Sequence, residues 1–199
     1  MTVQEDEGAA TALAAALDAD PFYKALAVDC GHDAASRRER LARYFARSMA
    51  EGREVGRVDL AFGQGAAVWI TSQDPSRLRT AREGKLADLA RLLGPQGCAN
   101  YRAMVDNMEK RLPPGIPEAA WYLSIMAVAP ACQGRGIGAG LLAPALAEAD
   151  AAGAACYLET FNPRSAPFYA RLGFGVAGEA VEALTGAGYL VMVRPGGRG

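Results

Sequence analysis

Gln133-Gly134-Arg135-Gly136-Ile137-Gly138 is the stretch that decides the fold, because it joins the apolar run Trp121 to Val128 to an amphipathic pattern that continues to about Ala152. That order predicts a strand, a glycine turn and a helix. Glycines at alternate positions remove the side chains that would keep a bulky anion away, and successive backbone N–H groups at a helix start then point at it. The stretch therefore predicts a loop that binds phosphate or pyrophosphate.

Two other phosphate-binding loops are excluded by the residues that follow. A Walker loop needs Lys and then Ser or Thr after its last glycine, whereas Ala139-Gly140-Leu141 stands here. A Rossmann Gly-x-Gly-x-x-Gly needs glycine at position 139 or 141, and neither position has one. The incomplete Rossmann spacing disfavours a nucleotide-binding oxidoreductase.

A second motif lies about thirty residues downstream and reads Leu-Glu-Thr-Phe-Asn-Pro-Arg-Ser-Ala-Pro-Phe-Tyr-Ala-Arg-Leu-Gly-Phe from Leu158 to Phe174. Gln-x-x-Gly-x-Gly after a strand, Asn162 at the end of the next strand and Tyr169 before a Leu-Gly-Phe turn resemble the GNAT superfamily of N-acetyltransferases. The residues of the second motif are similar to those of the branch that includes puromycin N-acetyltransferase. The resemblance is tight from Trp121 to Phe174 and loose elsewhere.

The resemblance implies an α/β (α+β) fold, with a mixed, mostly antiparallel twisted sheet, a central parallel strand pair and flanking helices. The parallel pair is Trp121 to Val128 and Ala155 to Thr160, joined by a crossover helix from Gly138 to Ala152 that contains Pro144. The remaining patterns predict helices at Gly8 to Asp18 and Ser36 to Ala50, a hairpin of Val55 to Phe62 with Ala66 to Ile70, two helices within Ser76 to Arg111, and a terminal strand pair of Phe174 to Glu179 and Tyr189 to Arg194. Only Met1-Thr2-Val3 precedes the acidic start of the first helix, so the long first strand usual in the family is expected to be short or absent.

Length and composition set the broad class. The 199 residues, 51% of them hydrophobic and 22% charged, suit one soluble domain over residues 1–199. A net charge of -1 gives no basic field to attract nucleic acid or an anionic membrane. Four dispersed cysteines and one histidine predict reduced thiols in a cytoplasm and no metal site. No basic leader or membrane-spanning run is recognisable.

The resemblance also implies an acyl-coenzyme A co-substrate, most simply acetyl-coenzyme A. In the family, backbone amides of the glycine loop hold the pyrophosphate, and the pantetheine arm lies beside the preceding strand. Arg135 adds a charge-assisted phosphate contact or is a plain loop arginine, and Asn162 binds the pantetheine or only forms a turn with Pro163. The implied coenzyme-binding residues are Met126, Ala127, Val128, Gln133, Gly134, Arg135, Gly136, Ile137, Gly138, Ala139 and Asn162.

Acyl transfer to an amine needs a neutral nucleophile, a stabilised oxyanion and a proton for the departing thiolate. Tyr169 matches the family's tyrosine that supplies that proton, and its alternative role is core packing beside Phe168 and Phe174. Glu159 is the first candidate for the base and Glu118 the second, and a water chain is the third possibility. Phe22, Tyr23, Trp69, Tyr101 and Trp121 are candidates for an acceptor pocket or for the core.

The sequence therefore predicts an enzyme that acylates a primary amine of a small molecule by direct transfer, without an acyl-cysteine. Two alternatives stay open: a protein N-acetyltransferase and a non-catalytic acyl-coenzyme A sensor. The Ser76 to Arg111 insert is expected to cover the acceptor or to form a homodimer contact.

Overall fold

The structure, a computed structural model, describes residues 3–197. Its strands are β1 (Gly56–Leu60), β2 (Gly65–Ile70), β3 (Trp121–Val128), β4 (Cys156–Thr160), β5 (Gly175–Val181) and β6 (Gly188–Arg194). Its α-helices are α1 (Val3–Leu17), α2 (Pro21–Leu26), α3 (Ala34–Val55), α4 (Pro75–Leu92), α5 (Gly94–Glu109), α6 (Ile137–Ala151) and α7 (Ala166–Ala170). Short 3-10 turns occupy Val28–Cys30, Pro130–Cys132 and Pro163–Ser165.

The six strands form one sheet in the order β1-β2-β3-β4-β6-β5. Within residues 3–197, only β3 and β4 pair in parallel, and the other four pairings are antiparallel. This arrangement confirms the predicted fold class, including the central parallel pair and its helical crossover.

The N-terminal segment begins as a helix. Met1 and Thr2 lie outside the described residues, and Val3 already begins α1. Helix α1 starts earlier than the predicted Gly8, because Glu5 and Asp6 lie in its first turn, where the helix dipole favours negative charge. Helix α3 also exceeds its predicted range at both ends and reaches Val55.

The crossover helix α6 has the predicted buried stripe. Leu141, Leu142, Ala145, Leu146 and Ala149 are all buried. The helix continues through Pro144 without a break, although the proline has no N–H to donate to the helical ladder.

The sheet separates two hydrophobic clusters, because successive side chains of a strand point to opposite faces. In β2, Ala66 and Val68 join the cluster beneath α1 and α3, whereas Ala67 and Trp69 join the cluster beneath α6. Trp69 is fully buried, so it belongs to the core.

Strands β3 and β4 separate after a short paired segment, and this separation positions the site. Their pairing runs from Trp121 with Cys156 to Leu123 with Leu158 and then stops. At the same level a bulge in the β2–β3 pairing leaves Ser124 as an extra residue. Because bulges bend the strand that contains them, β3 turns away from β4, and the facing edges of both strands lose their ladder partners.

None of the helices in residues 3–197 combines the length and the apolar composition needed to cross a membrane.

Candidate active site

The glycine loop forms a set of unpaired backbone donors. Gly134 and Gly136 have φ angles of 76° and 79°, in the left-handed region that glycine adopts without strain. The Gly140 N–H is the first to bond within α6, to the Gly136 carbonyl at 3.1 Å. Among the described residues, the preceding N–H groups of residues 134–139 have no protein acceptor. They are available to an anion at the start of α6.

The side chain of Gln133 fixes the loop to β3. Its Nε2 donates to the Val128 carbonyl at 3.0 Å. Arg135 is exposed and has no ion-pair partner within residues 3–197, so its guanidinium is available to a phosphate.

Gly138 brings the first turn of α6 close to its neighbours. A Cβ at this position would lie 2.8 Å from Met126 Cε and 3.3 Å from Phe168 Cζ. Ile137 and Ala139 beside it are half-buried. The glycine at 138 thus serves close packing, whereas those at 134 and 136 serve the backbone conformation.

The open edge of β3 provides a surface for an extended ligand. Met126, Ala127 and Val128 pair with β2 on one side. The β4 ladder on the other side ended at Leu123. An amide-containing chain can therefore hydrogen-bond along this edge as an added strand would.

Asn162 caps the turn that follows β4. Its Oδ1 accepts from the Arg164 N–H at 3.2 Å, and its own N–H donates to Thr160 Oγ1 at 3.2 Å. The turn-forming role expected for Asn162 is therefore present, and its exposed amide NH2 is available to a ligand.

A cavity of about 680 Å³ lies beside the separated strands. Glu159 and Tyr169 both line it, together with Ser124 and Met126 of β3. Residues of α4 and α5, which belong to the Ser76 to Arg111 insert, also line the cavity, and the role of the insert in covering an acceptor stays a prediction. Phe22, Tyr23 and Tyr101 also line the cavity, whereas Trp121 packs with the cluster beneath α6.

Glu159 carries the most unusual carboxyl group of the cavity. Its Oε2 accepts a hydrogen bond from the Tyr122 hydroxyl at 3.1 Å. Its Oε1 is buried without a hydrogen-bond partner among the described residues. Burial raises the pKa of Glu159 to about 7, although the Tyr122 hydrogen bond acts in the opposite direction. The group can therefore gain and lose a proton near neutral pH.

Tyr169 combines the two roles that the sequence allows for it. Its ring packs against Phe168 and Phe174, with centroids 5.0 and 5.9 Å away, and the residue is only 7% exposed. It also lines the cavity. Burial raises the pKa of Tyr169 to about 12, so the hydroxyl keeps its proton at neutral pH.

Tyr122 is a site residue that the sequence reasoning missed. Its ring stacks on Tyr157 across the parallel pair, at a centroid distance of 4.7 Å. The strand pair was predicted, but the register that brings these two residues opposite each other was not. A tyrosine at the start of each central strand was the available signal.

Glu118 and a buried ion pair add further charged groups to the cavity wall. Glu118 lines the cavity but is exposed, unlike Glu159. Lys85 of α4 is 4% exposed and donates to Glu51 Oε2 of α3 at 2.6 Å. Burial opposes the charge of Lys85, but Glu51 and the neighbouring rings of Tyr44 and Tyr101 outweigh it and keep the Lys85 pKa above its ordinary value.

The comparison with protein families agrees with this geometry. The model of the acetyltransferase (GNAT) family matches residues 67–174, which include most of β2 and all of β3, the glycine loop, β4 and α7.

Solved structures show the same fold over the whole chain. A histone acetyltransferase HPA2 and related acetyltransferase from Corynebacterium glutamicum is 23% identical, with a TM-score of 0.70 and with 100% of this chain and 95% of that chain covered. PH1933 from Pyrococcus horikoshii is 12% identical, with a TM-score of 0.53 and coverage of 100% and 94%. At these identities the likeness concerns the fold alone.

Proposed function

Because the chain belongs to the acetyltransferase (GNAT) family, we propose that it is an acetyl-coenzyme A dependent N-acetyltransferase that acylates the primary amine of a small molecule by direct transfer. The observation that carries the proposal is the shared cavity of Glu159 and Tyr169 between the separated strands. One group has a pKa of about 7 and accepts a proton, and the other stays protonated and donates one.

The coenzyme fits the donors that this chain leaves open. Its pyrophosphate would receive the N–H groups of residues 134–139, with Arg135 adding charge. Hydrogen bonds to a charged acceptor contribute about 1.5 to 3 kcal/mol each. The pantetheine amides would pair with the open edge of β3 at Met126 to Val128, and Asn162 would contact them from the end of β4.

Glu159 starts the reaction. An aliphatic amine with a pKa near 10 is only roughly 0.1 to 1% neutral at pH 7 to 8. The Glu159 carboxylate takes the surplus proton of the ammonium, and the nitrogen then attacks the thioester carbonyl carbon. A C–N bond forms and the C–S bond breaks. Glu159 is favoured over Glu118 as the base, because its buried oxygen is unpartnered and its pKa is already raised.

Tyr169 completes the transfer by protonating the departing sulfur. The nitrogen loses a second proton as the amide forms, and this proton restores the tyrosine, while Glu159 releases the first proton to water. A free thiol has a pKa near 8.5, which is well below the pKa of about 12 at Tyr169. The burial that raises the pKa of Tyr169 also disfavours a thiolate leaving in the same cavity, which brings the proton affinities of the two groups closer together.

The walls of the cavity support a small-molecule acceptor over a protein amine. Helices α4 and α5 contribute a wall to it, and a volume of about 680 Å³ suits a compact ligand. The residue sequence of the motif from Leu158 to Phe174 supports placement of the chain near the puromycin N-acetyltransferase branch.

All four cysteines are unpaired, which fits the reducing cytoplasm.

Release of free coenzyme thiol from acetyl-coenzyme A, measured against a panel of amines, tests the proposal. Tyr169→Phe should lower kcat about 100-fold or more, because it removes the general acid. Tyr189→Phe is the matched control, since Tyr189 is 3% exposed and its hydroxyl has no partner among the described residues. Stabilisation by acetyl-coenzyme A without thiol release from any amine would favour the non-catalytic sensor instead.

A further inference from the structure

We propose that the acceptor is a small polycation, that is, an amine that carries a second positively charged group and no carboxylate or phosphate. This inference rests on the proposed function, because it assigns the substrate class of the same cavity. It is carried by the charges and aromatic faces of the cavity wall.

Carboxylates dominate the charged side chains that line the cavity. Arg82 and Lys85 are the cations among the lining residues. The lining carboxylates are Asp20, Glu51, Glu109, Glu118 and Glu159.

Both cations of the wall are already neutralised by carboxylates. Lys85 pairs with Glu51 at 2.6 Å, and Arg82 pairs with Glu109 at 2.9 Å. An anionic group on the acceptor would therefore lose its hydration without gaining a free cationic partner among the lining residues, which is costly in a partly enclosed site. This excludes amino acids and phosphorylated amines as good acceptors.

Two carboxylates remain for cations of the acceptor. Glu159 has a buried Oε1 without a partner, and the reacting amine belongs there. Glu118 has no ion-pair partner within residues 3–197, so we assign it to the second cation. Asp20 contributes less, because its Oδ1 accepts from the Phe22 N–H at 2.9 Å and caps α2.

The aromatic part of the wall suits the same chemistry. A ring face attracts a cation, most strongly where water is excluded. The protein itself shows this in the cavity wall, where the Lys85 ammonium lies 5.4 Å from the Tyr44 ring centroid and 5.7 Å from that of Tyr101. Tyr23, Tyr122 and Phe161 also line the cavity. A carboxylate and an aromatic ring together lower the free-energy cost of removing hydration water from an ammonium group.

Decarboxylated pairs test the proposal, because their members differ by one carboxylate. The first pair is cadaverine, which carries two positive charges, and L-lysine. The second pair is tyramine, which carries one positive charge, and L-tyrosine. Binding is measured as the shift of the unfolding midpoint in the presence of coenzyme A, and turnover as thiol release from acetyl-coenzyme A. We expect cadaverine to give the larger shift and a kcat/KM at least 10-fold above that of L-lysine, and tyramine to exceed L-tyrosine likewise.

Glu118→Gln tests the site of the second cation. The variant should raise KM for cadaverine about 10-fold and change KM for tyramine less than 2-fold. Glu83→Gln is the matched control, because Glu83 is exposed on α4 outside the cavity and the charge change is the same.

The outcomes separate the two claims. The polycation assignment is overturned if the amino acids bind as strongly as the amines or more strongly. It is also overturned if neither cadaverine nor L-lysine shifts the unfolding midpoint. Selective binding of cadaverine without thiol release from any amine would retain the charge preference of the cavity and reject the transferase. Equal effects of Glu118→Gln and Glu83→Gln would remove Glu118 from the acceptor site.

Discussion

At the scale of single residues, the burial that makes Glu159 suitable as a base also lowers the stability of the folded protein when the carboxyl is ionised. Burial raises the pKa of this carboxyl from its ordinary value of 4.5 to about 7. The folded state therefore holds this proton more tightly than the unfolded chain does. The stability that this provides is full below pH 4.5 and is lost as the pH rises through 7.

Glu159→Gln should reveal both effects. The amide cannot ionise, so the variant should gain stability relative to the wild type between pH 5 and pH 8, by about 3 kcal/mol at most, since one pKa unit corresponds to about 1.4 kcal/mol. Its kcat/KM should fall about 100- to 10,000-fold, because the base is removed. Urea unfolding at both pH values and thiol-release kinetics measure these changes. A variant that is as active as the wild type would exclude Glu159 as the base.

Tyr122→Phe should move the pH dependence of the reaction. The Tyr122 hydroxyl stabilises the charged form of Glu159, so its loss should raise the pKa of that carboxyl. The acidic limb of kcat/KM, near pH 7 in the wild type, should shift upward by about one unit. Tyr157→Phe keeps the stacked pair and has no hydrogen bond to Glu159 to lose. The same shift in both variants, or in neither, would contradict the role given to Tyr122.

At the scale of elements, one variant in the glycine loop and one in α6 distinguish an effect on coenzyme binding from an effect on folding stability. Gly136→Ala places a side chain at a φ of 79°, which costs about 1 to 2 kcal/mol and strains the loop whose N–H groups are proposed to bind the anion. We expect KM for acetyl-coenzyme A to rise at least 10-fold. Gly140→Ala is the control, because that position is helical and open, and the change should stabilise α6 by about 0.5 to 1 kcal/mol. Thermal unfolding and initial rates on both variants make the comparison, and an unchanged KM in Gly136→Ala would exclude the loop as the anion site.

The elements that the sequence predicted well are those with a strong local pattern. β3, the glycine loop and α6 follow from an apolar run, alternate glycines and a helical stripe. The separation of β3 from β4 has no such signal, because it depends on the bulge at Ser124 and on where the pairing stops. For that reason the sequence identified Glu159 and Tyr169, which lie ten positions apart near one strand end, but not Tyr122.

At the scale of the whole molecule, the far wall of the cavity depends on contacts between distant segments. Lys85 and Glu51 are 34 positions apart and join α4 to α3. The sequence predicts a helix that ends at Ala50, before Glu51, and does not say where the insert containing Lys85 packs. The ion pair between Lys85 and Glu51 therefore cannot be predicted from the sequence. Helix α3 continues to Val55 because its last turns pack Gly52 and Val55 against the sheet.

Lys85→Met should destabilise the protein strongly. It leaves the carboxylate of Glu51 buried and without its partner, which costs about 3 to 5 kcal/mol. The double change Lys85→Met with Glu51→Leu should recover most of that loss. Arg91→Met breaks the exposed pair with Asp88 and should change the free energy of unfolding by less than about 1 kcal/mol. Urea unfolding of the three proteins decides, and a double variant as unstable as the single one would argue against the buried-charge explanation.

Calorimetric titration with acetyl-coenzyme A tests the central claim most directly, namely that the amides of residues 134–139 hold the diphosphate of a thioester co-substrate. We predict saturable binding of one coenzyme per chain, weakened at least 10-fold in Gly136→Ala and unchanged in Gly140→Ala. Absence of saturable heat at millimolar coenzyme, or equal affinity in all three proteins, would contradict it.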